Sequence, residues 1–169
     1  MRRITRTFFS ALLLVAVLAA PAYAQSTIFI VRHAERADDG GQMDMKMKDP
    51  DLSDAGHARA RRLAEVLRSA GIEHVYASEY KRTQQTAAPL AEADHLKIET
   101  VPAKNVDELV RRIIAEHGPT LVVGHSNTIP DILKAFGVSD VTIDDMEYDN
   151  LFVVVRPETG PPVLTRLRF

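Results

Sequence analysis

Residues 28–36 read IFIVRHAER: four apolar residues, then Arg32, His33, Ala34, Glu35 and Arg36. An apolar run with no polar alternation, as at Ile28 to Val31, is the pattern of a strand covered on both faces. Strands of that kind build parallel sheets flanked by helices, and ligands of such sheets bind beyond the carboxyl ends of the strands. The charged half of the stretch stands at that end, so the fold and the position of the site are read from the same nine residues.

Outward from this strand, short apolar runs alternate with segments of helical period. A helix is expected from about Ser53, with Leu63, Val66, Leu67 and Ala70 on one face and Gly71 closing it. HVYAS (74–78) reads as a second strand, followed by a helix through Ala87, Leu90 and Ala91 that Pro89 is expected to kink. A third strand is placed near 97–102. The next helix carries Val106, Leu109, Val110, Ile113 and Ile114 and stops at Gly118. TLVVGH (120–125) is a further buried strand, and Pro130 opens a short helix through Ile132, Leu133 and Phe136. LFVVV (151–155) and VLTRLRF (163–169) lie too close for a crossover helix and read as a hairpin. The expected fold class is α/β: three layers, α/β/α, with a mainly parallel sheet and one antiparallel strand late in the chain.

The first 24 residues read differently. Arg2, Arg3 and Arg6 precede an apolar stretch from Phe8 to Ala20, and Ala22-Tyr23-Ala24 has the small-x-small pattern of a signal-peptidase site. The apolar stretch is shorter than the roughly 20 residues that span a bilayer. Residues 1–24 are therefore expected to be a signal peptide cleaved after Ala24, and 25–169 a single periplasmic or secreted domain without a membrane span. Without the leader the chain keeps 18 basic and 23 acidic residues. That negative balance argues against a nucleic-acid partner. The chain has no cysteine, which excludes a thiol nucleophile, a disulfide framework and a Cys-ligated zinc site.

The residues just past each strand carry the chemistry. Arg32, His33, Glu35 and Arg36 come after the first; Ser78 and then Arg82 after the second; His125, Ser126 and Asn127 after TLVVG. Two histidines and at least two arginines converge on one edge of the sheet. Grouped arginines suit an oxyanion, because each guanidinium fork matches phosphate or carboxylate geometry. The helix near Pro130 is expected to add backbone amides at its start. A neutral imidazole can attack phosphorus, and flanking arginines lower its pKa and favour that form.

In order and spacing, VRHAER, LSDAGHARARRLAEVL, YASEYKRTQQTA and LVVGHSNTIP resemble the histidine phosphatase superfamily, the phosphoglycerate-mutase-like fold, over nearly all of 26–156. The resemblance implies that His33 is the nucleophile of a phosphomonoester hydrolase acting through phosphohistidine. It implies that Arg32, Arg82 and His125 complete the phosphate pocket, and that no metal or other cofactor takes part. Glu35, Arg36, Ser126 and Asn127 are the further substrate-binding candidates. Mutases of the family carry a serine and an asparagine where this chain has Arg36 and Asp39, and its Arg82–His125 span is short; both differences favour a phosphatase. For the proton donor, Asp107 or Glu108 at the start of the third helix is the expectation, with Glu35 as a rival or as a partner that orients the arginines. The implied partner is a small phosphorylated substrate or a phosphoprotein. Mutase-type phosphotransfer and a non-catalytic phosphate- or phosphoprotein-binding module remain alternatives.

Other features read more plainly. His33, Glu35 and His125 suit a metal by ligand type, but the arginines around them would repel a cation. Met43, Met45 and Met47 alternate in QMDMKMK (42–48), and could hold a soft ion such as Cu(I), form a lip over the pocket, or belong to a simple loop. Asp140, Asp144, Asp145, Glu147 and Asp149 read as a solvated turn without the pattern of a calcium loop. His57, His74, His95 and His117 are expected on helix faces or loops and are given no role.

Overall fold

The computed structural model describes residues 26–38, 49–157 and 159–169. Residues 1–24, where a signal peptide is expected, Asp39 and the three methionines of 42–48 lie outside the described residues. Among those described, the elements are β1 (Ser26–Arg32), α1 (Asp54–Leu67), β2 (His74–Ala77), α2 (Lys81–Ala93), β3 (Ile98–Thr100), α3 (Val106–Ala115), β4 (Thr120–Gly124), α4 (Ile129–Ala135), β5 (Asn150–Arg156) and β6 (Val163–Arg168). No helix among them is long and apolar enough to cross a membrane.

The six strands form one sheet in the order β3-β2-β4-β1-β5-β6. β1 to β4 run parallel, β5 pairs antiparallel with β1, and β6 pairs antiparallel with β5. β5 alone therefore opposes the rest, as the closely spaced final runs require. The unbroken apolar reading of β1 and β4 has a direct cause. On one face Ile28, Ile30 and Val122 pack with Leu109, Val110 and Ile113 of α3 and Ile132 and Leu133 of α4. On the other, Val31, Leu121 and Val123 pack with Leu63 and Leu67 of α1 and Leu90 and Ala91 of α2. With both faces covered, Ile28 to Val31 of β1 and Leu121 to Val123 of β4 are apolar without alternation, and each fully buried aliphatic side chain contributes about 1.5–3 kcal/mol. The outer strand β6 is mostly exposed. Its Arg166 and Arg168 pair with Glu147, and Arg168 also with Asp149, so that edge is charged rather than open to further pairing.

α1 starts where the sequence places it: Ser53 caps the helix by accepting the Gly56 amide at 3.1 Å. α2 runs unbroken through Pro89. Gly56 is a close-approach position, since a Cβ there would stand 2.2 Å from the Glu35 carbonyl oxygen. That carbonyl also accepts the Ser53 amide at 2.9 Å, so α1 abuts the chain two residues beyond His33. Gly56→Ala should cost about 3 kcal/mol in overpacking, offset by about 1 kcal/mol of helix propensity. The melting temperature of the variant should fall by roughly 4–8 °C, and an unchanged melting curve would contradict the close approach.

Candidate active site

The parallel register sets Arg32 opposite Gly124, and the His33 amide donates to the Gly124 carbonyl at 2.9 Å. His33 and His125 therefore leave adjacent strands side by side, with ring centroids 5.3 Å apart and both side chains buried. Around them Arg32, Arg36, Arg82, Ser126 and Asn127 line a single cleft of about 780 Å³. Seven of the ten residues expected at the site on sequence grounds thus share one cavity.

The state of His33 is set by its neighbours. Its Nδ1 lies 2.8 Å from the Ala34 carbonyl oxygen, which can only accept, so Nδ1 carries the hydrogen and Nε2 keeps its lone pair. Ala34 is itself held: its amide donates to the Thr86 hydroxyl at 2.9 Å, and that hydroxyl donates to the Arg82 carbonyl at 2.7 Å. α2 thereby fixes the tautomer of a histidine some fifty residues away. Burial, opposed by the Ala34 bond and reinforced by His125, Arg82 and Arg32, pushes the His33 pKa down to about 3.

His125 has Nε2 2.8 Å from the Ser78 hydroxyl and Nδ1 3.5 Å from the Arg82 guanidinium. The Ser78 hydroxyl lies 2.9 Å from that of Thr83, which reaches the Tyr80 carbonyl at 2.7 Å. One proton arrangement satisfies this chain: Thr83 donates to the Tyr80 carbonyl, Ser78 donates to Thr83, and His125 donates from Nε2 to Ser78 while Nδ1 accepts from Arg82. Burial first, then the charge of Arg82, lowers the His125 pKa to about 4, against the opposing pull of Glu79.

Both depressed values have a measurable consequence. Unfolded histidine titrates near 6.5, so above that pH neither side chain distinguishes folded from unfolded chains. Below it the unfolded chain takes up protons that the folded one refuses, and stability falls by roughly 1.4 kcal/mol per pH unit for each histidine. Between pH 6.5 and 5 the loss should be on the order of 4 kcal/mol for the pair. Urea denaturation at pH 7 and pH 5 measures it, and a His33→Gln/His125→Gln variant should lose most of the difference; an equal difference in the variant would place its source elsewhere.

The two arginines are held differently. Arg32 Nη1 donates to the carbonyls of Asp144 (3.3 Å), Asp145 (2.7 Å) and Glu147 (3.4 Å), Nη2 reaches the Tyr148 hydroxyl at 3.3 Å, and the guanidinium carbon lies 4.0 Å from the Tyr148 ring centroid. Arg82 stacks on Tyr80 at 4.3 Å and has Asp49 at 3.5 Å. Burial, then the charge of Arg36, lowers its pKa. Both Nε atoms are buried without a hydrogen-bond partner. Orphaned guanidinium donors beside two neutral imidazoles suit a dianionic group and offer a metal ion no welcome.

Three expected site residues go elsewhere. Glu35 faces Arg59 of α1, with oxygen–nitrogen distances of 2.6–3.0 Å, and Arg59 also donates to the Phe169 carbonyl at 3.1 Å. It fastens the loop to α1 and the end of the chain and does not line the cleft. Asp107 and Glu108 line a separate groove beside α3. Glu108 is paired with Arg111 at 2.5 Å and Arg112 at 2.8 Å, which hold it below the usual carboxylate range and so unprotonated. The start of α4 also differs from expectation: the amides of Thr128 and Ile129 donate to the His125 carbonyl and close the turn instead of facing the cleft. The acidic turn 144–147, expected to be merely solvated, is a wall of the cleft held by Arg32. Glu79, Tyr80, Lys104, Asp145 and Tyr148 line the cleft although no sequence pattern assigns them to it. Glu79 and Tyr80 carry the nearest thing to a signal, since they stand inside the SEYKR stretch between Ser78 and Arg82.

Comparison with known proteins agrees with this geometry. The model of the histidine phosphatase superfamily (branch 1) matches residues 28–105. The "Probable phosphoglycerate mutase GpmB" of Yersinia enterocolitica is 37% identical over 75 residues, 44% of this chain and 35% of that protein. Phosphoserine phosphatase 1 of Hydrogenobacter thermophilus is 37% identical over 71 residues, 42% of this chain and 34% of that protein. The matches thus span about a third of the length of these curated relatives. A solved structure of the protein histidine phosphatase SixA complexed with tungstate shares the fold, with a TM-score of 0.66 at 20% identity over 84% of this chain and 96% of that one.

Proposed function

We propose that this chain, which belongs to the histidine phosphatase superfamily, is a metal-independent phosphomonoester hydrolase working through a phosphohistidine on His33. The observation that carries this reading is the state of His33: buried, neutral, with Nδ1 committed to Ala34 and the Nε2 lone pair left for phosphorus. In the first step Nε2 attacks phosphorus, the bond to the ester oxygen breaks, and the leaving alcohol takes up a proton. In the second, water attacks, the phosphorus–nitrogen bond breaks, and inorganic phosphate departs. Arg32, Arg82 and His125 stabilise the charge on the transferring oxygens in both. The tungstate bound by the SixA structure is an oxyanion of the same kind.

Glu79 is the carboxylate assigned the proton transfers. One of its oxygens accepts the Ala103 amide at 2.7 Å, which fixes the side chain at the cleft while the other oxygen stays out of that bond. Glu79→Gln should lower turnover of alkyl phosphates by about 10²-fold, and that of p-nitrophenyl phosphate, whose leaving group needs no proton, by much less. An equal loss on both substrates would remove Glu79 from this role.

Hydrolysis is favoured over mutase transfer because only β3 and α3 intervene between α2 and β4, with no additional lid element among the described residues. The substrate is a small phosphorylated compound or a phosphoprotein, and the leader at 1–24 supports export as the setting. The deciding experiment is a rapid quench of the purified protein with a phosphorus-labelled aryl phosphate in the presence of chelator. The label should stay on the protein through alkali and leave in acid. Absence of label under turnover, or loss of turnover with chelator, would overturn the proposal.

A further inference from the structure

At the opposite end of the sheet from the cleft lies a second cluster. His74 opens β2 and pairs with Thr120, the first residue of β4, while Glu99 sits in β3 opposite Tyr76 and Glu116 ends α3. The side chains of His74, Glu99 and Glu116 are each about a third exposed or less, and a nitrogen or oxygen from each lies within 4.8 Å of the others.

We propose that His74, Glu99 and Glu116 form a zinc site at the amino ends of the parallel strands. The geometry of His74 points to it. Its Nε2 lies 2.9 Å from the His117 carbonyl oxygen, an obligate acceptor, so Nε2 carries the hydrogen. In the neutral ring Nδ1 then presents a lone pair to Glu116 Oε2 at 3.3 Å. Two acceptors at that separation repel unless a positive charge lies between them, which either a proton on Nδ1 or a metal ion supplies. Zinc bonds of about 2.0–2.2 Å place tetrahedral ligands about 3.4 Å apart, which is the spacing these two atoms already have. Donating the second ring nitrogen to a backbone carbonyl is also how zinc-bound imidazoles are oriented. Glu116 is aimed in the same way: its Oε2 accepts the Tyr76 hydroxyl at 2.6 Å.

One nitrogen and two carboxylates suit zinc better than calcium or magnesium, which favour all-oxygen shells. The competing cation is Arg112, 3.7 Å from Glu99 and held by Glu108 at 2.8 Å. Glu99 turns from Arg112 to complete the site, leaving one position for water. A bound ion would staple the three-residue outer strand β3 to the α3–β4 connection and raise stability without touching the phosphate cleft.

The test is titration of the purified protein with zinc chloride against a chromophoric zinc indicator, together with imidazole nitrogen NMR. Wild type should bind one zinc through this cluster, with the His74 Nδ1 signal shifted and the Nε2–H retained, and should melt at higher temperature with zinc present. Glu99→Gln, His74→Ala and Glu116→Gln should each weaken that binding about tenfold or more, while hydrolysis by Glu99→Gln stays at the wild-type rate. Arg112→Gln should tighten it. Glu99 is partly exposed and the glutamine keeps its shape, so its variant, checked by circular dichroism, answers the question even where His74→Ala is poorly folded. No saturable binding by wild type, unchanged affinity in Glu99→Gln, or a zinc signal confined to His33 and His125 would each overturn the proposal.

Discussion

Alanine at His33 is expected to lower turnover of p-nitrophenyl phosphate by roughly 10⁴-fold or more and to abolish the alkali-stable phosphoenzyme. The size comes from the geometry. The nucleophile is the one group whose loss removes the covalent step, and no other side chain in the cleft combines a lone pair with the same hold on its tautomer. His125 cannot replace it, because its two nitrogens face Ser78 and Arg82. The variant should still bind inorganic phosphate or tungstate, since both arginines keep their positions. Tight oxyanion binding with no turnover would therefore mark His33 as the attacking atom's residue, whereas turnover within tenfold of wild type would refute that assignment.

Arg82→Gln should produce the second largest effect, about 10³-fold in kcat/KM. The guanidinium has a buried Nε without a partner, and its side chain is only 14% exposed, so its charge acts through little solvent. Removing it subtracts a donor from the transferring phosphoryl group and a positive neighbour from both histidines, whose pKa values should rise. The acid limb of the pH profile should move toward neutrality in the same variant. Arg82→Lys should recover only part of the rate, because an ammonium is a point charge without the fork. Weaker inhibition by tungstate, read alongside the rates, separates loss of binding from loss of folding. Arg32 is a less clean target: Arg32→Gln would also release the three carbonyls of 144–147, so its effect mixes phosphate binding with the architecture of the wall.

His33, His125 and Arg82 are legible in the sequence because each stands just past an apolar run whose direction the parallel sheet dictates. Their meeting needs only that β1, β2 and β4 be neighbours. Tyr148, Lys104 and Asp145 come from connections with no periodicity, and their arrival is decided by packing: Arg32 reaches carbonyls 112 to 115 positions further along the chain. Glu35 misleads because it is close to His33 in sequence, yet the chain has left the sheet there and strand alternation no longer tells where a side chain points. Asp107 and Glu108 mislead for another reason. They come after β3, which stands three strands from β1 in the sheet order, about 14 Å away at ordinary strand spacing. The sequence shows which strand a residue succeeds, but not where that strand sits in the sheet. His74 reads as a surface histidine because, although it opens the second strand, nothing local announces the two glutamates that β3 and the end of α3 bring beside it.

The hydrogen bond from the His33 amide to the Gly124 carbonyl makes the distance between the two imidazoles a property of the sheet lattice, independent of the loops that surround them. Those loops can then be lengthened, shortened or exchanged between relatives with the reactive pair left unaltered. Replacement of Lys104 on the rim should change which phosphoester is preferred while keeping the rate of the dephosphorylation step. In this molecule, selectivity and reactivity are separable parts, free to drift at different speeds.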